Sequence, residues 1–142
     1  MPDPTLRSRR TLSLRFNIPI SKTAEFWGSL KKGKLTTWRC SACGAEAFPP
    51  QADCPSCMGT AGAWVELQNA ATLVTYTEVR VPPASFASLA PYTVAIGELV
   101  GGLKVLAWLE GMPFERVKPR MKLKLEARES SEGNWYYVFV PG

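Results

Sequence analysis

Apolar and polar residues alternate along most of the chain after residue 70, and this period-two pattern predicts β-strands. The first strand is predicted over residues 73–81, with one face made of Leu73, Thr75, Thr77, Val79 and Val81. Four more strands are predicted over residues 92–100, 103–109, 121–127 and 135–140. Gly101-Gly102 forms one connection, and the breaker-rich stretch 111–119 is expected to cross over with one helical turn. Five strands with this crossing before the fourth predict a closed Greek-key barrel of the OB type.

The residues before the barrel predict one short helix in an otherwise mainly β chain. Ser21 is a favourable N-cap, and Phe26 and Leu30 recur four residues apart, as on one face of a helix. Gly33 is the expected stop, so the helix is predicted to run from Ser21 to about Lys32.

All the cysteines of the chain lie between the predicted helix and the barrel, in two Cys-x-x-Cys pairs: Cys40, Cys43, Cys54 and Cys57. Gly44 directly follows the first pair, whereas Met58 precedes Gly59 after the second. Two such pairs in a short, loop-rich segment predict a zinc site in which two tight turns supply four thiolates. Four sulfurs fill a tetrahedral site and leave no position for water, so the site is expected to be structural. The same thiolates also accept iron.

Disulfides and a redox centre are the alternative roles for these cysteines. Disulfides need an oxidising compartment, which small secreted domains usually reveal by more cysteines or a signal peptide, and neither is apparent here. A redox Cys-x-x-Cys needs one pair at a strand–helix junction, whereas Gly44 and Pro55 indicate loops. The metal interpretation is therefore favoured.

Three extended stretches surround the cysteines. The strand over residues 35–39 enters the first pair, residues 47–50 return from it, and residues 64–67 lead away from the second pair. A segment this short lacks a core of its own, so the metal must stabilise it. The predicted organisation is a basic tail and helix over residues 1–34, a zinc ribbon over 35–67 and an OB-fold domain over 68–142.

Composition and charge restrict the function only mildly. The 142 residues carry a formal net charge of +5, and four thiolates around one Zn²⁺ bring this to about +3. A mildly basic balance fits a phosphate-bearing partner or an ordinary solvated surface. No apolar run reaches the ~18 residues of a membrane span, and the reduced thiols favour a cytoplasmic location. Residues 1–19, which contain Arg7, Arg9, Arg10 and Arg15, are interpreted as a loosely docked tail or a basic arm for a partner.

The loop from Pro82 to Pro91 is unusually apolar for a connection between strands. Its prolines prevent strand pairing, and Phe86 lies among small residues, where it either packs in the core or contacts a partner. A set of nearby cations could hold phosphates or form solvated strand faces: Arg80, Lys104, Arg116, Lys118, Arg120 and Lys122.

The order of helix, four-cysteine ribbon and five-stranded barrel resembles an acyl-CoA-associated family that joins a rubredoxin-like zinc ribbon to an OB barrel, once catalogued as a domain of unknown function. The matching residues are Phe26-Trp27, Leu30, Gly33, Cys40-x-x-Cys43-Gly44, Phe48-Pro49-Pro50, Cys54-Pro55-x-Cys57, Trp64, Thr75-Tyr76-Thr77 and Pro91-Tyr92. Ala71 and Arg120 stand where the family often has glycine, which concerns turn geometry.

The resemblance implies a protein that is not itself an enzyme. Members of this family partner thiolase-like enzymes, cover an acyl-CoA site or bridge two enzymes, so that coenzyme A or acyl-CoA is a shared ligand. The stretch over residues 89–96 looks most like members that link acetoacetyl-CoA thiolase and hydroxymethylglutaryl-CoA synthase in the mevalonate route. A coenzyme A or partner-binding surface is expected to include Phe48, Pro49, Arg80, Pro82, Pro83, Phe86 and Tyr92.

The chemistry of the residues agrees with a non-catalytic role. The chain has no histidine, and its thiols are assigned to metal, so the usual bases and nucleophiles are missing. The alternative function is nucleic-acid binding, because zinc ribbons and OB barrels both occur there. That alternative is disfavoured, since the predicted strands lack aromatic residues densely interleaved with Lys and Arg.

Overall fold

The computed structural model describes residues 14–142, which begin with an exposed segment over residues 14–20 that forms neither helix nor strand. The predicted tail arginines Arg7, Arg9 and Arg10 lie outside these described residues. No helix in the described part of the chain is long and apolar enough to cross a membrane.

A short α-helix, α1 (Ala24–Leu30), follows a 3-10 turn over Ser21–Thr23. Thr23, rather than the predicted Ser21, holds the N-cap position, and it makes no side-chain capping bond. The predicted end at Lys32 is also wrong, because α1 ends at Leu30. Gly33 does terminate the helix, with φ of 76° and its amide donating to the Leu30 carbonyl at 2.9 Å.

The cysteine segment forms a three-stranded antiparallel sheet in the order β2-β1-β3, with bounds Thr36–Cys40 (β1), Glu46–Ala47 (β2) and Gly62–Glu66 (β3). Trp38 on β1 lies opposite Trp64 on β3. The Trp38 ring also covers Gly62 so closely that a Cβ there would overlap it. The sheet thus holds the two cysteine turns at one end.

The rest of the chain forms a closed barrel in the order β4-β5-β6-β8-β7. Its strands are Ala70–Val79 (β4), Tyr92–Leu99 (β5), Lys104–Leu109 (β6), Lys122–Glu129 (β7) and Trp135–Pro141 (β8). Short 3-10 turns occupy two connections, Ala84–Leu89 and Phe114–Arg116. The predicted fold class, one short helix with a four-cysteine ribbon and a five-stranded OB barrel, is confirmed.

A β-bulge in β4 overturns the predicted face of that strand. Its pairing with β5 shifts register between Leu73 and Thr75, so the residues after the bulge change sides. Tyr76 now points inward, and its hydroxyl donates to the Val117 carbonyl at 3.0 Å, while Thr75 and Thr77 are exposed. The strand ends at Val79, and Val81 is exposed beyond it.

Two positions where glycine was expected behave differently from each other. Ala71 lies within β4 rather than in the predicted turn. It is buried and is paired with Leu99 and Leu123. Arg120 has φ of 64°, in the left-handed region that glycine adopts most readily. The turn before β7 therefore keeps the glycine-like backbone without glycine.

One hydrophobic core connects the helix, the ribbon and the barrel. Phe26 of α1 is fully buried and packs edge-to-face against Phe48 of the ribbon at 5.6 Å between ring centroids. Tyr137 of β8 lies 4.8 Å from Phe48 and 6.4 Å from Phe26. These three rings join all parts of the fold, so the ribbon is held against the barrel by aromatic packing.

Candidate metal centre and exposed aromatic surface

The sulfurs of the four cysteines, Cys40, Cys43, Cys54 and Cys57, all lie within 4.8 Å of one another. Cys40 and Cys57 are 3.6 Å apart, and Cys43 and Cys54 are 3.5 Å apart. A tetrahedral zinc ion with Zn–S bonds of ~2.3 Å requires S–S edges of about 3.8 Å. The four sulfurs therefore fit one zinc ion.

Matching backbone hydrogen bonds shape the two cysteine turns. In the first turn Gly44 donates to the Cys40 carbonyl at 2.9 Å, and Cys40 donates to Ala45 at 3.0 Å. In the second turn Met58 donates to the Cys54 carbonyl, and Cys54 donates to Gly59, both at 2.9 Å. The turns are thus equivalent, and each places two sulfurs on the same side of the loop.

The residue after each cysteine pair adopts a left-handed conformation. Gly44 has φ of 72° and Met58 has φ of 61°. Glycine takes this conformation without strain, whereas a residue with a Cβ does so at a cost of about 1 kcal/mol. The Met58 side chain gains no burial in return, being 73% exposed. The second turn therefore keeps its shape despite an unfavourable residue.

The thiols ionise unequally without metal. A hydrogen bond from the Cys57 backbone amide lowers the pKa of the Cys54 thiol to about 6. The Ala45 amide acts to lower the pKa of Cys43, but the thiols of Cys54 and Cys57 raise it to a net value of about 12. Several thiolates this close repel one another, so a divalent cation is needed to hold all four deprotonated. With four sulfur ligands, the zinc site is closed and structural rather than catalytic.

A second feature is a partly exposed group of three rings, Phe86, Tyr92 and Trp108, called the aromatic cluster below. Tyr92 and Trp108 stack at 4.2 Å with an interplanar angle of 14°. Phe86 meets both edge-on, at 6.3 and 6.0 Å, and remains 42% exposed. Phe86 is therefore outside the barrel core, on a surface built by the 3-10 turn and by strands β5 and β6.

An apolar groove of about 610 Å³ lies beside the aromatic cluster and is called the β6–β8 groove below. It is lined by Leu89, Val94, Leu106, Ala107, Trp108, Glu110, Ser130, Tyr136 and Tyr137. Glu110 accepts hydrogen bonds from Arg128 at 3.0 Å and from the Tyr136 hydroxyl at 3.5 Å. Burial and the nearby Glu110 carboxylate raise the pKa of Tyr136, so its hydroxyl stays protonated as a donor.

The structure brings some of the predicted coenzyme A or partner-binding residues together. Phe86 and Tyr92 share the aromatic cluster, and Pro82 and Pro83 lead into its 3-10 turn. Arg80 forms an ion pair with Glu78 rather than lying free.

Phe48 and Pro49 lie elsewhere. Phe48 is half-buried and packs between Phe26 and Tyr137, and Tyr137 lines the β6–β8 groove. Pro49 next to it is exposed.

Sequence reasoning missed Leu106 and Trp108, the apolar outward-facing residues of β6. The signal was present, since Val105, Ala107 and Leu109 alternate with them and are buried. Trp108 contacts Phe86 and Tyr92, so the apolar residues on the outward face of β6 belong to a contiguous patch, which is the feature that indicates a binding surface.

Two family models match this chain. One is described as "ChsH2, rubredoxin-like zinc ribbon domain" and matches residues 27–62. The other is described as "ChsH2, C-terminal OB-fold domain" and matches residues 64–128. Together they cover the metal centre and most of the barrel.

Similar proteins include two archaeal relatives, each named "DUF35 domain-containing scaffold protein". That of Methanocaldococcus jannaschii is 32% identical over 95 residues, covering 66% of this chain and 67% of the relative. That of Pyrococcus furiosus is 28% identical over 112 residues, covering 78% and 82%. A "Probable enoyl-CoA hydratase alpha subunit" from Thermomonospora curvata is 28% identical over 130 residues, but this chain spans 40% of its length.

Two solved structures resemble the fold. The "Ltp2-ChsH2(DUF35) aldolase" has a TM-score of 0.73 and 27% identity, covering 89% of this chain and 98% of that one. A DUF35 protein of unknown function from Sulfolobus solfataricus has a TM-score of 0.60 and 22% identity, with 86% of each chain covered. The second likeness concerns the fold alone.

Proposed function

We propose that this chain, which belongs to the DUF35 family of proteins that join a zinc ribbon to an OB-fold domain, is a non-catalytic accessory subunit of an acyl-CoA enzyme. The observation that carries this proposal is the partly exposed aromatic cluster of Phe86, Tyr92 and Trp108. Aromatic side chains that are rigid and partly exposed are the usual anchors of protein–protein interfaces.

The loop that carries Phe86 is suited to docking. Its 3-10 turn, Ala84–Leu89, contains no buried residue, and Leu89 is exposed beside the β6–β8 groove. The stack of Tyr92 on Trp108 fixes the surface under Phe86, so little side-chain freedom is lost on binding. A partner that covers the loop and the aromatic cluster would remove a continuous apolar area from water.

The chemistry of the chain supports a non-catalytic role. There is no histidine, and the four thiols converge on the metal site. Glu110 is the charged residue of the β6–β8 groove, and both of its oxygens are engaged, by Arg128 and Tyr136. Glu110 therefore acts as a hydrogen-bond acceptor that orients Arg128 and Tyr136.

In its finer form the proposal names the partners. The partner is a thiolase-like enzyme, and the chain links acetoacetyl-CoA thiolase to hydroxymethylglutaryl-CoA synthase while helping to enclose the acyl-CoA. Support comes from the resemblance of residues 89–96 and from archaeal relatives described as scaffold proteins. Arg116, Lys118 and Lys122 are exposed cations that could contact the phosphates of coenzyme A, whereas Arg80 would first have to leave its ion pair with Glu78.

Nucleic-acid binding is not favoured by the arrangement of charges. A base-stacking platform needs cations beside its aromatic rings to follow the phosphate backbone. Two cavities border Trp108, and their lining residues include Glu78, Glu110 and Glu115. Within residues 14–142, neither cavity is lined by a Lys or an Arg.

The test is a titration of the zinc-loaded chain with purified acetoacetyl-CoA thiolase of the same organism, followed by hydroxymethylglutaryl-CoA synthase. Binding of both enzymes to one chain supports the finer proposal, and binding of a different acyl-CoA enzyme alone supports the accessory role only. Absence of binding to any purified acyl-CoA enzyme, with nucleic acid bound instead, refutes both.

A further inference from the structure

Strands β6 and β8 are neighbours in the barrel, yet among the described residues they pair at one position, Leu109 with Phe139. On its other side β6 pairs with β5 along its whole length, and β8 pairs with β7 in the same way. On the N-terminal side of Leu109 the facing edges of β6 and β8 therefore separate. An unpaired strand edge presents free N–H and C=O groups to another chain.

The β6–β8 groove lies where these strands separate, as its lining residues from both strands show. Leu106 is 60% exposed, and the Trp108 and Tyr136 rings are half-buried. The groove thus combines open backbone edges with an apolar surface, which are the two features that an added β-strand recognises. Its occupant should be a polypeptide segment with apolar residues at every second position.

The chain itself contains such a segment. Residues 14–18 read Leu-Arg-Phe-Asn-Ile, so a strand conformation would place Leu14, Phe16 and Ile18 on one face. Within the described part of the chain these side chains are exposed, Phe16 by 76%, and the segment pairs with no strand. Pro19 follows and would end any pairing.

The polar residues of the segment fit the same arrangement. With Leu14, Phe16 and Ile18 on the groove, Arg15 and Asn17 lie on the opposite face of the strand, toward solvent. Glu110, the charged residue among those that line the groove, is already engaged by Arg128 and Tyr136 and needs no cation from the added strand. The apolar face of the segment therefore carries the fit.

We propose that residues Leu14–Ile18 of a second copy of this chain add as a strand along the β6–β8 groove. Because each copy has one segment and one groove, reciprocal exchange gives a closed two-fold dimer. The segment is available for this exchange, since it is exposed in the protomer and attached to a helix that packs against Tyr137 at the groove. This proposal concerns the chain alone and does not depend on the proposed function.

The test measures the solution mass of the zinc-loaded, full-length chain by light scattering over a range of concentrations. We expect twice the 15.6 kDa of the single chain. The variant Phe16→Ser/Ile18→Ser removes the segment's apolar face, and Leu106→Ser weakens the groove. The two-fold dimer contains two identical contacts, and every buried aromatic or branched side chain contributes about tenfold to each contact. Leu106→Ser should therefore raise the dimer dissociation constant about a hundredfold, and the double variant should raise it further. Val100→Ser, at an exposed residue outside the groove, is the matched control and should remain dimeric.

Mixing the two variants distinguishes strand exchange from nonspecific adhesion. The groove variant still has an intact segment and the segment variant an intact groove, so the mixture should form a heterodimer with one restored contact. A monomeric wild-type chain, dimers that survive both substitutions, or no gain on mixing would each overturn the proposal. A monomer whose groove amides are protected from hydrogen exchange by its own segment would also overturn it, in favour of docking within one chain.

Discussion

The Phe139 ring lies against the backbone of Gly97, so closely that a Cβ on residue 97 would stand 2.6 Å from its Cζ. Gly97 lies in β5, opposite Leu73, where the bulge of β4 begins. Phe139 is fully buried at the centre of the core. The absence of a side chain at residue 97 therefore lets the Phe139 ring sit across the barrel next to the bulge.

Gly97→Ala should destabilise the barrel because the added methyl group must displace a ring that has no free space. Such overpacking costs about 1–3 kcal/mol, which corresponds to a loss of several degrees in melting temperature. Gly28→Ala is the control, since a Cβ there meets nothing within 4 Å and alanine favours the α1 helix. Thermal melts of both variants should move in opposite directions; equal melting temperatures would show that the core accommodates the methyl group.

Cys43→Ala should reduce metal binding and loosen the ribbon while leaving most of the barrel folded. Three remaining sulfurs hold zinc less tightly, and the ribbon sheet depends on the metal because it has little core of its own. Hydrogen exchange should increase over residues 36–66, with Ser41→Ala, in the same turn, as the control. Elemental analysis of freshly purified wild-type protein should give one zinc or iron per chain, and a metal-free protein would contradict the assignment.

Met58→Gly should stabilise the second cysteine turn, since glycine relieves the left-handed conformation at φ of 61°. The expected gain is about 1 kcal/mol in the free energy of opening the ribbon, measured by hydrogen exchange. Gly44→Ala at the equivalent position should lose a similar amount. A Cβ on residue 44 meets nothing within 4 Å, so that loss reflects the backbone alone. The two substitutions should change the free energy of opening the ribbon in opposite directions. A stabilising Gly44→Ala would be inconsistent with strain at these turns.

Phe86→Ala should weaken partner binding more than it weakens folding. The lost edge-on contacts with Tyr92 and Trp108 are worth about 1 kcal/mol of stability. Loss of an interface anchor commonly costs ~2 kcal/mol, or about thirtyfold in affinity. Partner titrations beside thermal melts separate the two effects, with Val100→Ala as the control. A destabilisation of ~3–5 kcal/mol, as for a core phenylalanine, would exclude the docking role of Phe86.

The sequence alone determined the features that depend on local spacing. The Cys-x-x-Cys pairs predicted a four-sulfur site because each pair forms its turn within a few residues, through bonds such as Gly44 to Cys40. Strand alternation and the breaker-rich crossing predicted the OB barrel, since period-two burial is a property of each strand taken separately. Gly33 marked the helix end for the same local reason.

Only the tertiary structure decided the features that depend on how distant strands meet. The bulge after Leu73 arises from pairing with β5, and it turns Tyr76 inward although sequence alternation assigned that face to Thr75. The β6–β8 groove exists because two strands far apart in sequence pair only at Leu109 and Phe139 in the described chain. Alternation along the sequence shows which residues share a face of a strand. Non-local packing sets the register and the separation between strands. That register and separation place Trp108 at the surface of the barrel.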